Sequence, residues 1–212
     1  AELEQAVREA PSGSSQQQTY SSLLDDIQRL KAILEKLLLL SLADSGRLAL
    51  DRAPTDLSSL LANIVEDSSA LAPHLQFEAA LPPHVTVSAD AVLLAQARQN
   101  LTSNAITYNR AEGLIRLTLR LAADSAVVAV GNTGPDISTE NRPHVFARFF
   151  RGDRSRARHA ATGVGLGLSL SREIIRAHGG ELALCPPRAD GDWTEFVVRL
   201  PCTVAPAKPS SA

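Results

Sequence analysis

The chain of 212 residues has no methionine, two cysteines, one tryptophan and only 4% aromatic residues. Two cysteines, Cys185 and Cys202, are too few for a disulfide framework and lack metal-ligand spacing. They suit a reducing, cytoplasmic setting. Lysine occurs only at Lys31, Lys36 and Lys208, so the positive charge is almost all arginine. That charge is not in surplus. A formal net charge of −2 argues against a general nucleic-acid binder, which is usually basic overall. Long apolar runs are missing as well. The longest leucine-rich stretch, LEKLLLLSLADSG, is broken by Glu35, Lys36 and Asp44 and is too short to span a bilayer. No secretory signal is visible. The first residues already read as helix, which is the expectation for a piece of a longer protein.

The length allows one or two domains around one sizeable core. AELEQAVREA reads as a short helix, followed by the polar loop PSGSSQQQ with Pro11 and Gly13 as breakers. From Thr19 the apolar residues Leu23, Ile27, Leu30, Leu34 and Leu37 recur at threes and fours. That seam predicts a long helix to about Asp44, stopped by Ser45-Gly46. One helix cannot bury such a seam alone, so a helical hairpin that pairs with another chain is expected.

The remainder alternates α and β signals. RLALD, LQFEAAL, HVTVSA, ELALC and TEFVVRLP read as strands. GLIRLTLRLAADSAVVAVGN reads as a strand pair turning at Ala123-Asp124-Ser125. TDLSSLLANIVEDSSALA is a helix capped by Thr55 or Asp56. ADAVLLAQARQNLTSNAITYN and VGLGLSLSREIIRAHGG are two more, the second ended by Gly179-Gly180. Residues 133–162 read as irregular, with a helical turn before Phe146, and TVAPAKPSSA as a disordered tail.

Two features ask for a ligand. RQNLTSNAITYN places Asn100 and Asn104 four apart, on one face of a half-apolar helix. Amides in such a setting need a partner, either protein or ligand. TGVGLGLSLS places Gly163, Gly165 and Gly167 directly before a helix, where free N–H groups and the helix dipole favour a phosphate. The spacing is neither a dinucleotide fingerprint nor a Walker loop. Ahead of it, RPHVFARFFRGDRSRARHAA gathers Arg142, Arg148, Arg151, Arg154, Arg156 and Arg158. Phe146, Phe149 and Phe150 in the same segment call for burial. A loop of this kind is suited to close over a polyphosphate.

Together these segments resemble the ATP-binding catalytic region of sensor histidine kinases, of the GHKL or Bergerat type, with part of the dimerisation hairpin in front. RQNLTSNAITYN resembles the N box, and VGNTGPDI the first glycine box. VFARFFRGD is similar to the F box, and TGVGLGLSLSREIIRAHGGEL to the second glycine box. DWTEFVVRLP resembles the last, threonine-containing box. The resemblance implies an α+β fold: a two-layer sandwich of a mixed sheet with helices on one face, preceded by a long hairpin helix. It implies a hairpin piece over residues 1–46, the ATP-binding domain over 47–201 and the tail over 202–212.

The resemblance also implies roles. Asn104 would hold the Mg²⁺ that bridges the ATP phosphates, and Asn100 would contact the phosphates or the metal shell. Tyr108 would stack near the nucleotide. Asn132 would accept from the adenine amino group, Gly134 would leave room for the base, and Thr194 would join the network beneath adenine. The loop of Gly163, Val164, Gly165, Leu166, Gly167 and Leu168, with Arg151 and the arginines after it, would receive the phosphates. The implied reaction is transfer of the γ-phosphate to a histidine and on to a response regulator. The partners implied are a second copy of the protein and that regulator, with a membrane anchor upstream.

Related ATPases of gyrase, mismatch repair and heat-shock chaperones carry a glutamate at the position of Asn100. An asparagine cannot act as that general base. Sustained hydrolysis is therefore the third reading, behind the kinase and behind a nucleotide-responsive interaction module without kinase activity. The phosphoacceptor itself is absent: His74, His84, His144, His159 and His178 all lack its context. The expectation is a hairpin cut below its histidine, unable to phosphorylate itself. Thr107, Asp136 and Trp193 also depart from the pattern and are expected to weaken nucleotide binding.

Overall fold

A computed structural model describes residues 2–152, 163–189 and 191–202. The chain opens with α1 (Glu2–Glu9) and α2 (Ser15–Asp44). Helix α2 starts four residues earlier than the apolar seam predicts. The reason is a cap: Ser14 Oγ accepts from the Gln17 N–H, and Gln17 Oε1 accepts from the Gly13 N–H at 2.8 Å. The glutamines that read as loop therefore form its first turn. Its end falls where expected, with Gly46 at φ +64 just beyond.

Leu23, Ile27, Leu30, Leu34 and Leu38 of α2 are exposed. The opposite stripe packs on the rest of the chain, where Leu40 is 1% exposed. Among the described residues no helix is long and apolar enough to cross a membrane.

RLALD is not a strand. Residues 47–52 connect α2 to β1 (Ala53–Asp56), which pairs antiparallel with β3 (Thr86–Ala89). A strand needs a ladder partner, and the short β3 is already matched by Ala53–Asp56. Leu48 and Leu50 pack against the core from the connector, which is what their alternation signals.

Asp56 then caps α3 (Leu57–Leu71), accepting from the N–H groups of Ser58 and Ser59. The Ser59 hydroxyl also donates to Asp56, at 2.8 Å, and this bond first, with the two N–H bonds, holds the Asp56 carboxyl below its usual range. Asp90 caps α4 (Ala91–Thr107) in the same way.

The main sheet comprises β2 (Gln76–Ala80), β4 (Leu114–Ala122), β5 (Ser125–Thr133), β6 (Glu181–Leu184) and β7 (Trp193–Pro201). Its order is β2-β4-β5-β7-β6, with β2 and β4 parallel and the other pairs antiparallel. The helical layer is α3, α4 and α5 (Gly167–Ala177).

Strand alternation puts Ile115, Leu117, Val128, Val130, Phe196 and Val198 into one core with Leu170 and Ile174 of α5. The expected mixed sheet with helices on one face is therefore present. Cys202 was assigned to the tail, but it is buried and its thiol donates to the Thr86 carbonyl at 3.2 Å. Residues 203–212 lie outside the described residues.

Candidate functional site

A cleft of about 780 Å³ opens between α4, the α5 start, the loop after β5 and helix α2. That size is ordinary for a small-molecule site. From α4 and its C-cap it receives Asn100, Asn104, Thr107 and Tyr108. Its floor holds Asn132 and Thr194, which are cross-strand partners on β5 and β7. Gly163, Val164, Gly165, Leu166, Gly167 and Leu168 form another wall, and Arg151 stands beside them.

The two asparagines have different circumstances. Asn100 donates through Nδ2 to the Gly167 carbonyl and to Ser171 Oγ, both at 3.3 Å. It thus ties α4 to the first turn of α5. A Cβ on Gly167 would stand 3.4 Å from the Asn100 amide, in ordinary contact, so this approach does not depend on the glycine. Asn104 is half-buried and has no side-chain hydrogen bond among the described residues. Its amide opens on the cleft.

Beside it, α5 begins with no side-chain cap, so its first N–H groups are free to meet an anion. The helix starts at Gly167 rather than Val164, which leaves the preceding glycine segment as irregular backbone. Asn132 is buried and donates through Nδ2 to the Thr133 carbonyl at 2.9 Å, leaving its oxygen as the acceptor. Tyr108 is exposed at the rim, as the residue that caps the C-terminus of α4.

Residues 89–204 match the family described as histidine kinase-, DNA gyrase B-, and HSP90-like ATPase. The chain belongs to this family. It is 34% identical over 201 residues to the probable sensor histidine kinase TcrY of Mycobacterium tuberculosis, covering 94% of this chain and 41% of TcrY. The chain spans about two fifths of the length of the curated relatives it matches. Its fold is similar to that of full-length ShkA, solved in complex with AMPPNP: TM-score 0.78 at 22% identity, over 94% of this chain and 42% of ShkA. It is also similar to histidine kinase ThkA, solved with the response regulator protein TrrA: TM-score 0.65 at 22% identity, over 95% and 55% of the two chains. Within the family, the chain is an ATP-binding catalytic domain of the sensor histidine kinase kind.

Several sequence expectations shift against this histidine kinase frame. Gly134 does not line the cleft. Its φ is +132, and a Cβ there would stand 2.6 Å from the Tyr108 carbonyl, so it makes room for backbone rather than for a base. Trp193 lies on the opposite face of the sheet from Thr194, because successive strand residues alternate. Its indole covers Gly131 and carries the guanidinium of Arg188 4.5 Å from the ring centroid. It therefore does not enter the nucleotide cleft.

Asp136 does line the cleft, but it is held by Arg142 in a largely buried ion pair at 3.0 Å. Arg142 also donates to the Cys185 carbonyl, and Arg148 pairs with Asp44 of α2. Two of the six clustered arginines are thus structural, and Arg154, Arg156 and Arg158 lie outside the described residues. Arg110, just beyond α4, pairs with Asp192 and is not on the cleft wall. Phe146 and Phe150 are half-buried as expected, whereas Phe149 is exposed. Sequence reading missed Arg29, Ile33 and Lys36 of α2, which also line the cleft. Their periodicity signals a second stripe on α2, but nothing local says where that stripe docks.

His178 has a structural role. It is 2% exposed, with Nδ1 2.8 Å from the Ile174 carbonyl and Nε2 accepting from the Asp90 N–H at 3.0 Å. It joins the end of α5 to the cap of α4 as a neutral ring. Burial, with Arg52 nearby, pushes its pKa below the usual value. The unfolded chain therefore takes up this proton first as pH falls. Stability from this site is present above about pH 6.5 and lost below it, by at most about 1.4 kcal/mol per pH unit. The expected result is a lower thermal midpoint at pH 5.5 than at 7.5, with a smaller drop in His178→Gln. Equal drops in the two proteins would contradict the assignment.

Proposed function

We propose that this chain holds Mg-ATP for transfer of its γ-phosphoryl group to a histidine of the same signalling protein, outside residues 1–212. The phosphate then passes to an aspartate on a response regulator. The observation that carries this reading is Asn104: an amide aimed into a nucleotide-sized cleft, without a protein partner among the described residues, beside an uncapped helix start.

The donor set fits Mg²⁺. A neutral amide oxygen is a hard ligand, and this ion keeps several waters and takes phosphate oxygens. Among the described residues no group of His, Cys, Asp and Glu would cage a metal. Bound there, the ion supplies charge neutralisation of the phosphates. The protein's contribution is position. Asn104 orients the phosphates, the α5 start and glycine loop offer N–H groups, and Arg151 faces the same space.

The oxygen of Asn132, with Thr194 beside it, receives the adenine amino group at the cleft floor. Asn100 is engaged with α5 and has no basic group, so water is not activated at that position. The exposed leucine stripe of α2 is the seam for a second copy. The family frame supports a sensor segment and membrane anchor elsewhere in the protein.

The test is the full-length protein incubated with γ-labelled Mg-ATP. Acid-labile label on a histidine, passing to a receiver domain, is the expected result. A folded full-length protein that binds ATP and never becomes labelled would replace this reading with the interaction module.

A further inference from the structure

Helix α2 presents two faces. Leu23, Ile27, Leu30, Leu34 and Leu38 are exposed, while Arg29, Ile33, Lys36 and Leu40 recur at helical spacing on another stripe. Leu40 is buried in the catalytic-domain core, and Asp44 one turn further pairs with Arg148. These contacts fix the stripe and set Arg29, Ile33 and Lys36 on the cleft wall.

The charged residues among the described lining are Arg29, Lys36, Asp136 and Arg151. Asp136 is neutralised by Arg142. Two of the three cations therefore come from the hairpin helix. The facing end of α4 contributes only neutral groups, Ser103, Asn104 and Thr107. Lys36 is half-buried and has no hydrogen bond or ion pair among the described residues. An ammonium so placed, in a cleft that also holds an uncapped helix start, fits an anionic group of the ligand.

We propose that Lys36 is a phosphate-binding residue, contacting the distal phosphates of the nucleotide. This rests on the Mg-ATP reading above and deepens it. The nucleotide site is then built by two domains, with the hairpin helix supplying a cation that α4 lacks. Linkage makes the effect reciprocal: a bound triphosphate holds α2 on the catalytic domain, and a shift of α2 weakens the triphosphate. The contact favours ATP over ADP and leaves AMP indifferent.

The experiment titrates the chain and its Lys36→Gln and Lys36→Arg variants with Mg-ATP, Mg-ADP and AMP at low salt. Glutamine keeps most of the stem and removes the charge. Loss of one charge-assisted phosphate contact is expected to weaken Mg-ATP about tenfold, Mg-ADP less and AMP not at all. Arginine is expected to restore most of the loss. Unchanged Mg-ATP affinity in Lys36→Gln would overturn the proposal, as would an equal fall for all three ligands. If the wild type binds Mg-ATP and Asn104→Ala does not, while Lys36→Gln binds normally, only the role of α2 fails. A wild type that takes no Mg-ATP removes the underlying reading.

Discussion

Asn104→Ala is expected to lower Mg-ATP affinity about 100-fold or more while leaving the nucleotide-free protein almost as stable as before. Groups that merely support a metal ligand typically cost about 10–100-fold in affinity when removed, so the ligand itself sets the upper end. The stability expectation has a separate source. The Asn104 amide bonds no protein group among the described residues, so its loss leaves none of them unsatisfied.

Asn100→Ala is the internal contrast. It removes two hydrogen bonds between α4 and α5 and should cost about 1–2 kcal/mol with no nucleotide present. Thermal unfolding with and without Mg-ATP reads both effects. At 100 times its Kd a ligand adds about 2.7 kcal/mol, a gain the wild type shows and Asn104→Ala does not. With the metal chelated, wild type and Asn104→Ala should bind nucleotide alike. An Asn104→Ala protein that keeps Mg-dependent binding, or one that is destabilised as Asn100→Ala is, would remove the metal ligand from the scheme.

That contrast also marks what the sequence could tell. The spacing of Asn100 and Asn104 put both amides on one helix face, and the structure places both at the cleft. Which amide the protein itself satisfies depends on where α5 docks, and that is a tertiary matter. The cap of α3 was narrowed to Thr55 or Asp56 because a cap is written in adjacent residues, and the structure gives Asp56. RLALD misled because alternation reports two faces of different burial, and a connector pressed on a core has those too. Trp193, a departure expected to weaken nucleotide binding, turns away from the cleft for a related reason. A departure from a motif names a position, whereas the strand's alternation decides which side the ring takes. Lys36 was invisible as a site residue, since its relation to the cleft depends on the packing of α2 against residues far along the chain. The roles implied for the arginines divided similarly: the cluster was evident, but Asp136 and Asp44 decide which of its members are occupied.

Gly165→Ala is expected to damage both stability and nucleotide affinity, while Gly163→Ala leaves stability almost unchanged. Gly165 has φ +78, and a Cβ there would stand 2.6 Å from the Phe150 carbonyl and 2.8 Å from the Phe149 carbonyl carbon. Both obstacles are backbone, so no side-chain rotation relieves them. The crossing is fastened by the Phe149 N–H donating to the Gly165 carbonyl at 2.9 Å, and Phe149 itself adopts φ +61 to make it. A left-handed conformation at an alanine costs about 1–2 kcal/mol before any clash is counted.

Relief of the clash requires the glycine loop to part from residues 149–150. That moves the loop's N–H groups and displaces Arg151 from the cleft wall. A misplacement worth 1.4 kcal/mol is already tenfold in binding, so Mg-ATP affinity should fall about tenfold or more. A Cβ on Gly163 meets nothing within 4 Å. Its variant should stay within about 0.5 kcal/mol of the wild type in stability, as surface changes usually do. Calorimetric midpoints and Mg-ATP titrations of the two variants side by side decide the matter. If both glycines tolerate alanine equally, the segments do not cross at Gly165, and the glycine loop is not held in place by residues 149–150.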